Sequence, residues 1–446
     1  MTNASTMNST STGGFTETAL DAFTKGRDEP AWLAARRREA LAIFQASPWP
    51  TLRDEEWRRT DIRAFKLANF HPPESNEPNE AEKAALRPAY DNLNNLYGTG
   101  VEQINAAVTR RPEASLLPKG VIFTDLASAV REHPELVRQN LLTRAVDPSA
   151  DVFSALHSAF WTGGVFLYVP KGVKVETPLF SLIGLAGEGS VDLNHTLVVL
   201  EDGAEATLVQ ETTSAGRPEK VSALHAGAVE LIVGQGAHLR FVNIQNWDDQ
   251  TWHFSRDRAI VERDASVQWT IGGLGSRLAK VNQEVALTGP GAQAQVNGIM
   301  FTTGRQHLAY FTRQDHAAPN TRSDLLYKGG LKGHSRIVWK GMIRVEPEAQ
   351  KTDAYQKNDS LVLADTARAD SIPGLEIEAN DVRCTHGATA GQVDEDMVFY
   401  LQARGIGREE AVRLVVEGFF ANVYDRITLE PVRETLRQAV AEKLGR

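Results

Sequence analysis

The chain has a single cysteine, Cys384, among its 446 residues. One thiol cannot form an internal disulfide, so a reducing compartment such as the cytosol is favoured over secretion. The first residues, MTNASTMNSTSTGG, are polar and lack the apolar run of a signal peptide. We therefore expect a cytoplasmic protein in which residues 1–14 form a disordered tail.

Several motifs of catalytic and metal-binding proteins are also missing. The sequence contains no G-x-x-x-x-G-K-[ST] loop for a nucleotide phosphate, no C-x-x-C pair and no H-E-x-x-H motif. The eleven histidines are scattered along the chain. The sequence thus predicts neither nucleotide hydrolysis nor a zinc site held by this chain alone.

Clustered basic residues are equally scarce. The net charge is −9, and the longest basic run is Arg36-Arg37-Arg38. Proteins that bind nucleic acid group their Lys and Arg to neutralise phosphates, so no nucleic-acid partner is expected. One uncharged run, Val152 to Pro170, approaches the length of a membrane span. Gly163-Gly164 interrupt this run, which therefore predicts a buried helix, a turn and a strand rather than a membrane segment.

The spacing of apolar residues divides the chain into three parts. Residues 15–150 have a mostly helical pattern, and residues 391–446 return to helical spacing. Between them, short β-rich runs alternate with Gly and Asp turns, and proline is scarce inside the runs, as strand hydrogen bonding requires. We expect an N-terminal, mostly helical domain (15–150), a β core (151–390) and a C-terminal helical domain (391–446).

The turns of the β core resemble one another. Four of them are Asp202-Gly203-Ala204, Gln235-Gly236-Ala237, Arg263-Asp264-Ala265 and Pro290-Gly291-Ala292. Their middle residues are 33, 28 and 27 residues apart. A repeat of this kind, with strands on both sides of each turn, predicts a β-solenoid in which stacked coils bury each other's inner faces. A β-sandwich is the alternative, although sandwiches do not have such an internal sequence repeat.

Two segments resemble a known family. The segment SIPGLEIEANDVRCTHGATAGQVDEDMVFYLQARGIGREEAVRLVVEGFF contains a C-[ST]-H-G-A-T element, and DEEWRRTDI near the N-terminus is similar to an E-x-W-[KR]-x-T element. Both resemble the SufB/SufD family of the SUF machinery for iron–sulfur cluster assembly, and its SufD members in particular. The resemblance spans residues 30 to 446. It implies a right-handed parallel β-helix core between two helical domains, in the same order as the three parts above.

The resemblance also implies partners and a role. A SufD subunit is a non-catalytic scaffold that pairs with its paralogue SufB, and each binds the ABC-type ATPase SufC through its C-terminal helical domain. An isolated SufD chain can pair with itself as a homodimer, and no membrane partner is implied. SufB members carry an essential cysteine in the segment that matches Gln356-Lys357-Asn358-Asp359, where this chain has Asn358. This departure favours SufD over SufB.

The only thiol lies two positions before a histidine, His386. In a strand these two side chains point to the same face. From the residues alone, a buried packing cysteine beside a structural histidine is the more common arrangement. The family's functional histidine near the SufB–SufD interface matches His386, and the motif cysteine matches Cys384. Thiolate and imidazole are ligands used in iron–sulfur chemistry, but a cluster takes about four of them. We therefore expect no stably bound cofactor, and at most transient iron or a cluster shared with the partner subunit.

A second candidate site lies in the C-terminal domain. In REEAVRLVVEGFF the apolar residues follow helical spacing along one face. They are Val412, Val415, Val416, Phe419 and Phe420. This stripe can pack on the last helix, which carries Val432 and Leu436 at similar spacing, or it can receive the ATPase partner. A stand-alone β-helix protein that binds or cleaves carbohydrate remains the alternative function.

Overall fold

The computed structural model describes residues 13–73 and 77–445. Apart from Gly13 and Gly14, the tail expected over residues 1–14 lies outside the described residues; the N–H of Gly14 donates to the carbonyl of Phe70 at 3.2 Å. The α-helices are α1 (Glu17–Thr24), α2 (Ala31–Ala46), α3 (Glu80–Tyr97), α4 (Leu126–Glu132), α5 (Pro134–Asn140), α6 (Val152–Phe160), α7 (Glu395–Gln402), α8 (Arg408–Tyr424) and α9 (Glu430–Gly445). Within the described ranges, none of these helices combines the length and apolar character that crossing a bilayer requires.

Most of the chain between α6 and α7 is β-strand. The strands of the described residues are β1 (Gly100–Ile104), β2 (Ala107–Arg110), β3 (Ile122–Asp125), β4 (Gly163–Val169), β5 (Leu179–Ala186), β6 (Val191–Asp192), β7 (Asn194–Leu200), β8 (Glu205–Ala215), β9 (Ala223–Val233), β10 (His238–Asn246), β11 (Thr251–Val261), β12 (Ser266–Gly273), β13 (Leu278–Leu287), β14 (Gln293–Thr302), β15 (His307–His316), β16 (Arg322–Leu331), β17 (Arg336–Val345), β18 (Asp353–Val362), β19 (Arg368–Ile377) and β20 (Arg383–Gln392). Short 3₁₀ turns occur at Leu67–Asn69 and Ala114–Leu116.

The strands form two facing sheets that wind as one solenoid. Sheet 1 has the order β2-β1-β5-β8-β10-β12-β14-β16-β18-β20, and sheet 2 has the order β19-β17-β15-β13-β11-β9-β7-β4-β3, with β6 beside β9. Successive strands alternate between the sheets, which makes about eight coils from β4–β5 to β19–β20. Neighbouring strands of successive coils are parallel, as in β13 beside β15 and β14 beside β16. The parallel β-helix core with helices before and after it, as expected from the sequence, is confirmed.

The repeated turns of the sequence stack on each other along the solenoid. Their middle residues all have positive φ: 67° at Gly203, 65° at Gly236, 53° at Asp264 and 78° at Gly291. The N–H of Gly203 donates to the carbonyl of Gln235 at 2.8 Å, so each turn is bonded to the turn of the next coil. The alanine that follows each middle residue is fully buried. The similar turn sequences therefore correspond to one turn conformation that is repeated in successive stacked coils.

Helices cover the outer faces of both sheets. On sheet 2, Phe153 of α6 stacks on Phe254 of β11 with ring centroids 3.7 Å apart. On sheet 1, Phe420 of α8 lies beside Phe301 of β14, with centroids 6.3 Å apart. The inner faces meet in a separate apolar core that runs from Val101 through Trp339. The solenoid is thus packed on its inside and on two outer faces, and within the described residues its last coil, β19 and β20, remains open.

The expectation of a mostly helical segment over residues 15–150 missed three strands. Strand β1 extends sheet 1 beside β5 and β2 folds back on β1, while β3 pairs antiparallel with β4 of sheet 2. The turn at Asn105 and Ala106, both with positive φ, lets β2 return. In such short segments helical and strand spacing cannot be told apart by period, and sheet pairing decided the outcome. The helix, turn and strand predicted from Val152 to Pro170 are present as α6 and β4.

Candidate functional site

The cysteine and the histidine of the C-T-H-G element lie on β20, the last strand of sheet 1. Cys384 pairs in register with Ala354 of β18, and His386 pairs with Gln356. Since paired residues of neighbouring strands point to the same side of a sheet, both side chains lie on the inner face of the solenoid. Ala354 belongs to the apolar cluster of the last coils, and Cys384 packs against that cluster. The expectation that the two side chains share one face is confirmed.

The thiol of Cys384 is half-buried, and its surroundings hold it in the protonated form. Burial raises the pKa of the Cys384 thiol above its usual value, the neighbouring carboxylate of Asp353 adds to the rise, and a hydrogen bond involving the backbone of Ala354 opposes it. A thiolate is the form that binds metal or attacks sulfur. Burial therefore disfavours the thiolate form of Cys384 in this chain.

His386 is exposed although it lies on the inner face, because no further coil covers β20 among the described residues. Below it, the Nε2 of Gln356 donates to the carbonyl of Gly374 at 2.9 Å. The Oε1 of Gln356 and the Nδ2 of Asn358 are buried without a hydrogen-bond partner in the structure. Polar groups that still have hydrogen-bonding capacity thus lie beneath the imidazole, at the mouth of the last coil.

Strands β19 and β20 are the free edges of the two sheets. Each is ten residues long, and within the described part of the chain each has a paired neighbour on one side only. Every residue of β19 is exposed or half-buried, and Ile377 at its end is 40% exposed. Proline is tolerated at position 373 of β19 because an edge strand does not use every N–H in a ladder. Two long, uncovered edges at one end form a surface on which another sheet can add strands.

Among the described residues, no group of three or more His, Cys, Asp or Glu side chains is placed to hold a metal ion. Cys384 and His386 are two potential ligands, whereas an iron–sulfur cluster takes about four. The arrangement can therefore offer one or two ligands at a surface, with the remainder supplied from outside the chain.

The apolar stripe proposed for the ATPase partner is largely internal, and this corrects part of the sequence prediction. Val416 and Phe420 are fully buried between α8, α9 and sheet 1. Val412 and Phe419 pack against the same cluster, and Val415 is half-buried. A fully buried side chain cannot contact a partner, so Val416 and Phe420 are core residues. Helical spacing identified the apolar face correctly but could not tell whether this chain or another covers it.

A different apolar surface is exposed on α7, and the sequence reasoning missed it. The exposed fractions are 50% at Met397, 71% at Phe399 and 55% at Tyr400, while Val398 between them is fully buried. The ion pair between Arg408 and Glu395, 2.8 Å long, ties this helix to the start of α8. The run MVFYL was the sequence signal for this surface. Consecutive apolar residues point to every side of a helix, and α7 buries only one side, so some of them must be exposed.

Comparison with known proteins gives a consistent result over nearly all of the chain. The family described as "SUF system FeS cluster assembly, SufBD core domain" matches residues 183–419, and "SufBD protein N-terminal region" matches residues 23–180. An "Iron-sulfur cluster assembly SufBD family protein" of Staphylococcus epidermidis is 30% identical over 440 residues, which is 97% of this chain and 92% of the relative. A protein of the same description from Staphylococcus haemolyticus is 30% identical over 440 residues, with the same two shares. One from Staphylococcus aureus is 29% identical over 444 residues, again 97% and 92% of the two chains.

Proposed function

The chain belongs to the SufBD family of iron–sulfur cluster assembly proteins, and we propose that within this family it is the SufD-type subunit, a non-catalytic scaffold. The observation that carries the proposal is the uncovered last coil, which presents Cys384 and His386 beside two free sheet edges. Asn358 supports the SufD-type assignment, because it stands where the resemblance implies a cysteine in SufB. The matches lend no support to a carbohydrate-binding function.

Pairing with a SufB-type paralogue would occur at the open end. Another solenoid of the same build could add its own last strands to β19 and β20, which would satisfy their free N–H and C=O groups. Pairing would also bury Ile377 and bring the partner's ligands close to His386. Iron or a nascent cluster is then cargo shared between two chains, with this chain contributing the imidazole and, if its thiol is deprotonated there, Cys384.

The ATPase partner would dock on the C-terminal helices, with α7 as the main contact. Exposed aromatic side chains are frequent centres of binding energy in protein interfaces, and Phe399 and Tyr400 are the exposed aromatics of this helix. The guanidinium of Arg404 lies 4.8 Å from the ring centre of Tyr400 and holds that ring in place on the surface. We place the complex in the cytosol, in line with a chain that has one cysteine.

Co-expression tests the proposal directly. The full chain is produced with a SufB-type paralogue and a SufC-type ATPase, and we expect all three to co-purify while the chain alone hydrolyses no ATP. The variant Ile377→Asp should weaken capture of the paralogue at least about tenfold, since a carboxylate would be buried in the new interface.

The matched control is Leu116→Asp, because Leu116 is 59% exposed but lies far along the chain from the last coil, beside β2. It should leave capture of the paralogue unchanged. A chain that stays monomeric beside both partners, or that hydrolyses ATP when pure, would remove the scaffold proposal. Equal losses for the two variants would place the pairing surface elsewhere.

A further inference from the structure

Three buried side chains join α6 to sheet 2 in an unbroken line of hydrogen bonds. His157 of α6, His195 of β7 and Glu230 of β9 are each at most 1% exposed. The Nδ1 of His157 is 2.8 Å from the carbonyl oxygen of Ala226, and its Nε2 is 2.9 Å from the Nδ1 of His195. The Nε2 of His195 is 3.0 Å from the Oε2 of Glu230. Every link has the length of a real hydrogen bond.

The number of protons in this line follows from its geometry. Three hydrogen bonds need three protons, one in each link. Two neutral imidazoles carry two protons, and a carboxylate carries none. A line of neutral His157, neutral His195 and ionised Glu230 would therefore leave one close contact between two lone pairs. The three links form together only when the line holds one proton more than that.

The third proton lies between His195 and Glu230. The carbonyl of Ala226 is an acceptor only, so the Nδ1 of His157 must donate to it. Burial and the neighbouring His195 lower the pKa of His157 well below its usual value, which keeps this ring neutral with an acceptor at Nε2. His195 then donates from Nδ1 to His157, and the additional proton occupies the link from its Nε2 to the carboxylate.

Glu230 extends the line to the segment that leads into α6. Its Oε2 accepts the backbone N–H of Leu142 at 2.7 Å, and its Oε1 accepts that of Val146 at 2.9 Å. One carboxylate thus satisfies two buried backbone donors and the histidine pair together. We propose that His157, His195 and Glu230 form a buried relay that holds one titratable proton and, while it holds it, fastens residues 141–160 to sheet 2.

Other charged groups lie around the relay, and the arginines among them favour the ionised carboxylate, since Glu230 raises the pKa of Arg36 and Arg37 helps to lower the pKa of His157. Arg36 of α2 donates to the carbonyl of Leu141 at 2.8 Å, and Arg37 donates to the carbonyl of Ala159 at 3.0 Å. Arg37 is paired with Glu29 at 2.7 Å, and burial together with the nearby His253 and His157 lowers the pKa of His225 of β9 well below its usual value. After the proton leaves, the carboxylate and the lone pair of His195 face each other without water, and the segment must open to relieve the contact.

The sign of the pH effect follows. When residues 141–160 open, the three links break, and water can take the additional proton above pH ~6.5, where a free imidazole is mostly neutral. The closed form then holds one proton more than the open form, so opening becomes easier as the pH rises. The equilibrium constant for opening should increase up to about tenfold for each pH unit in this window.

Hydrogen exchange of the full chain at about pH 7 and pH 8 measures this effect. After correction for the intrinsic rate, amides of residues 141–160 should lose up to about tenfold in protection between the two conditions. Residues 316–323 are the internal reference. His316 is buried too, but its two nitrogens lie 2.8 Å from the hydroxyls of Thr321 and Ser323, which can donate or accept and need no additional proton. Protection there should not change.

Two variants complete the test. In Glu230→Gln the amide N–H₂ donates to a neutral His195, so protection of residues 141–160 should fall at both conditions but lose its dependence on pH. The matched control His316→Gln should keep the wild-type pH dependence of that segment. Equal protection of residues 141–160 in the wild-type chain at both conditions would overturn the relay, even if Glu230→Gln failed to fold. The same pH dependence in Glu230→Gln would overturn it as well.

Discussion

The two ends of the solenoid are built differently. At the first end the chain folds back: β3 runs antiparallel to β4, and β2 runs antiparallel to β1, so both sheets finish in strands of only four residues. At the other end both sheets finish in ten-residue strands, β19 and β20, with nothing beyond them among the described residues. Strand β5 of the first coil is buried throughout, whereas β20 is exposed along most of its length.

The first end is therefore protected against pairing with another sheet, whereas the other end is available for such pairing. Short, folded-back edges are a usual means by which proteins prevent unwanted pairing of sheets. Solenoids need a cap at each end to remain soluble as single chains. The first end has its cap within the chain. The open end has none in the described residues and carries the family's motif, and the proposed pairing with a second subunit would supply that cap.

The largest effect is expected where the first coil closes. In Gly164→Ala a Cβ would lie 1.7 Å from the carbonyl oxygen of His195, at a φ of 135° that side chains rarely adopt. We expect a loss of at least about 4 kcal/mol in the free energy of unfolding, because backbone atoms cannot move aside. Urea unfolding of the purified chain measures it.

The open end supplies the matched substitution. A Cβ at Gly391 of β20 meets nothing within 4 Å, so Gly391→Ala should change the free energy of unfolding by less than about 0.5 kcal/mol. Similar losses for Gly164→Ala and Gly391→Ala would mean that the two ends do not differ as described.

The next effect sharpens the contrast between a face covered by this chain and a face left free. Phe420→Ala should lower the free energy of unfolding by about 3 kcal/mol, since the ring is fully buried between α8 and sheet 1. Phe399→Ala, at a ring that is 71% exposed, should change stability by less than about 0.5 kcal/mol and yet weaken capture of the ATPase partner. Thermal melting and a pull-down with the SufC-type ATPase give the two readouts. Full ATPase capture by Phe399→Ala would move the docking surface away from α7.

A small effect on stability is also expected for the histidine at the open end. His386→Ala removes an exposed ring and should lower the free energy of unfolding by no more than about 1 kcal/mol. Cluster delivery in a strain that depends on this pathway should nevertheless fall sharply, because a methyl group cannot bind iron or carry a proton. Cys384→Ala should be milder if the thiol only packs, and equally severe if it is a ligand. Full complementation by His386→Ala, or a collapsed melting temperature of the variant complex, would return this histidine to a structural role.

The architecture was largely predictable because it repeats. The turns at Gly203, Gly236, Asp264 and Gly291 share one left-handed geometry, so stacking left a period in the sequence that a single chain displays. The pair Cys384 and His386 could be placed on one face because a strand alternates its side chains, whatever lies around it. Such features could be predicted because they depend on local backbone geometry, which short segments of sequence determine.

What the sequence could not supply were contacts between distant segments. Burial of Val416 and Phe420 depends on sheet 1 lying beneath α8, and the exposure of Phe399 depends on the absence of such cover in the described residues. An apolar helical face looks the same in sequence whether it packs on its own chain or waits for another.

The sequence by itself determined the order of the three parts, the coil period, the common face of Cys384 and His386, and the likeness to one family. Only the tertiary structure decided that β2 and β3 cap the first end, that the last coil stays open in the described residues, and that His157, His195 and Glu230 meet at hydrogen-bonding distance. The physical reason is the range of the interactions. Strand alternation and turn geometry act over a few neighbouring residues, whereas capping, burial and the proton relay join residues tens of positions apart, which only the folded chain brings together.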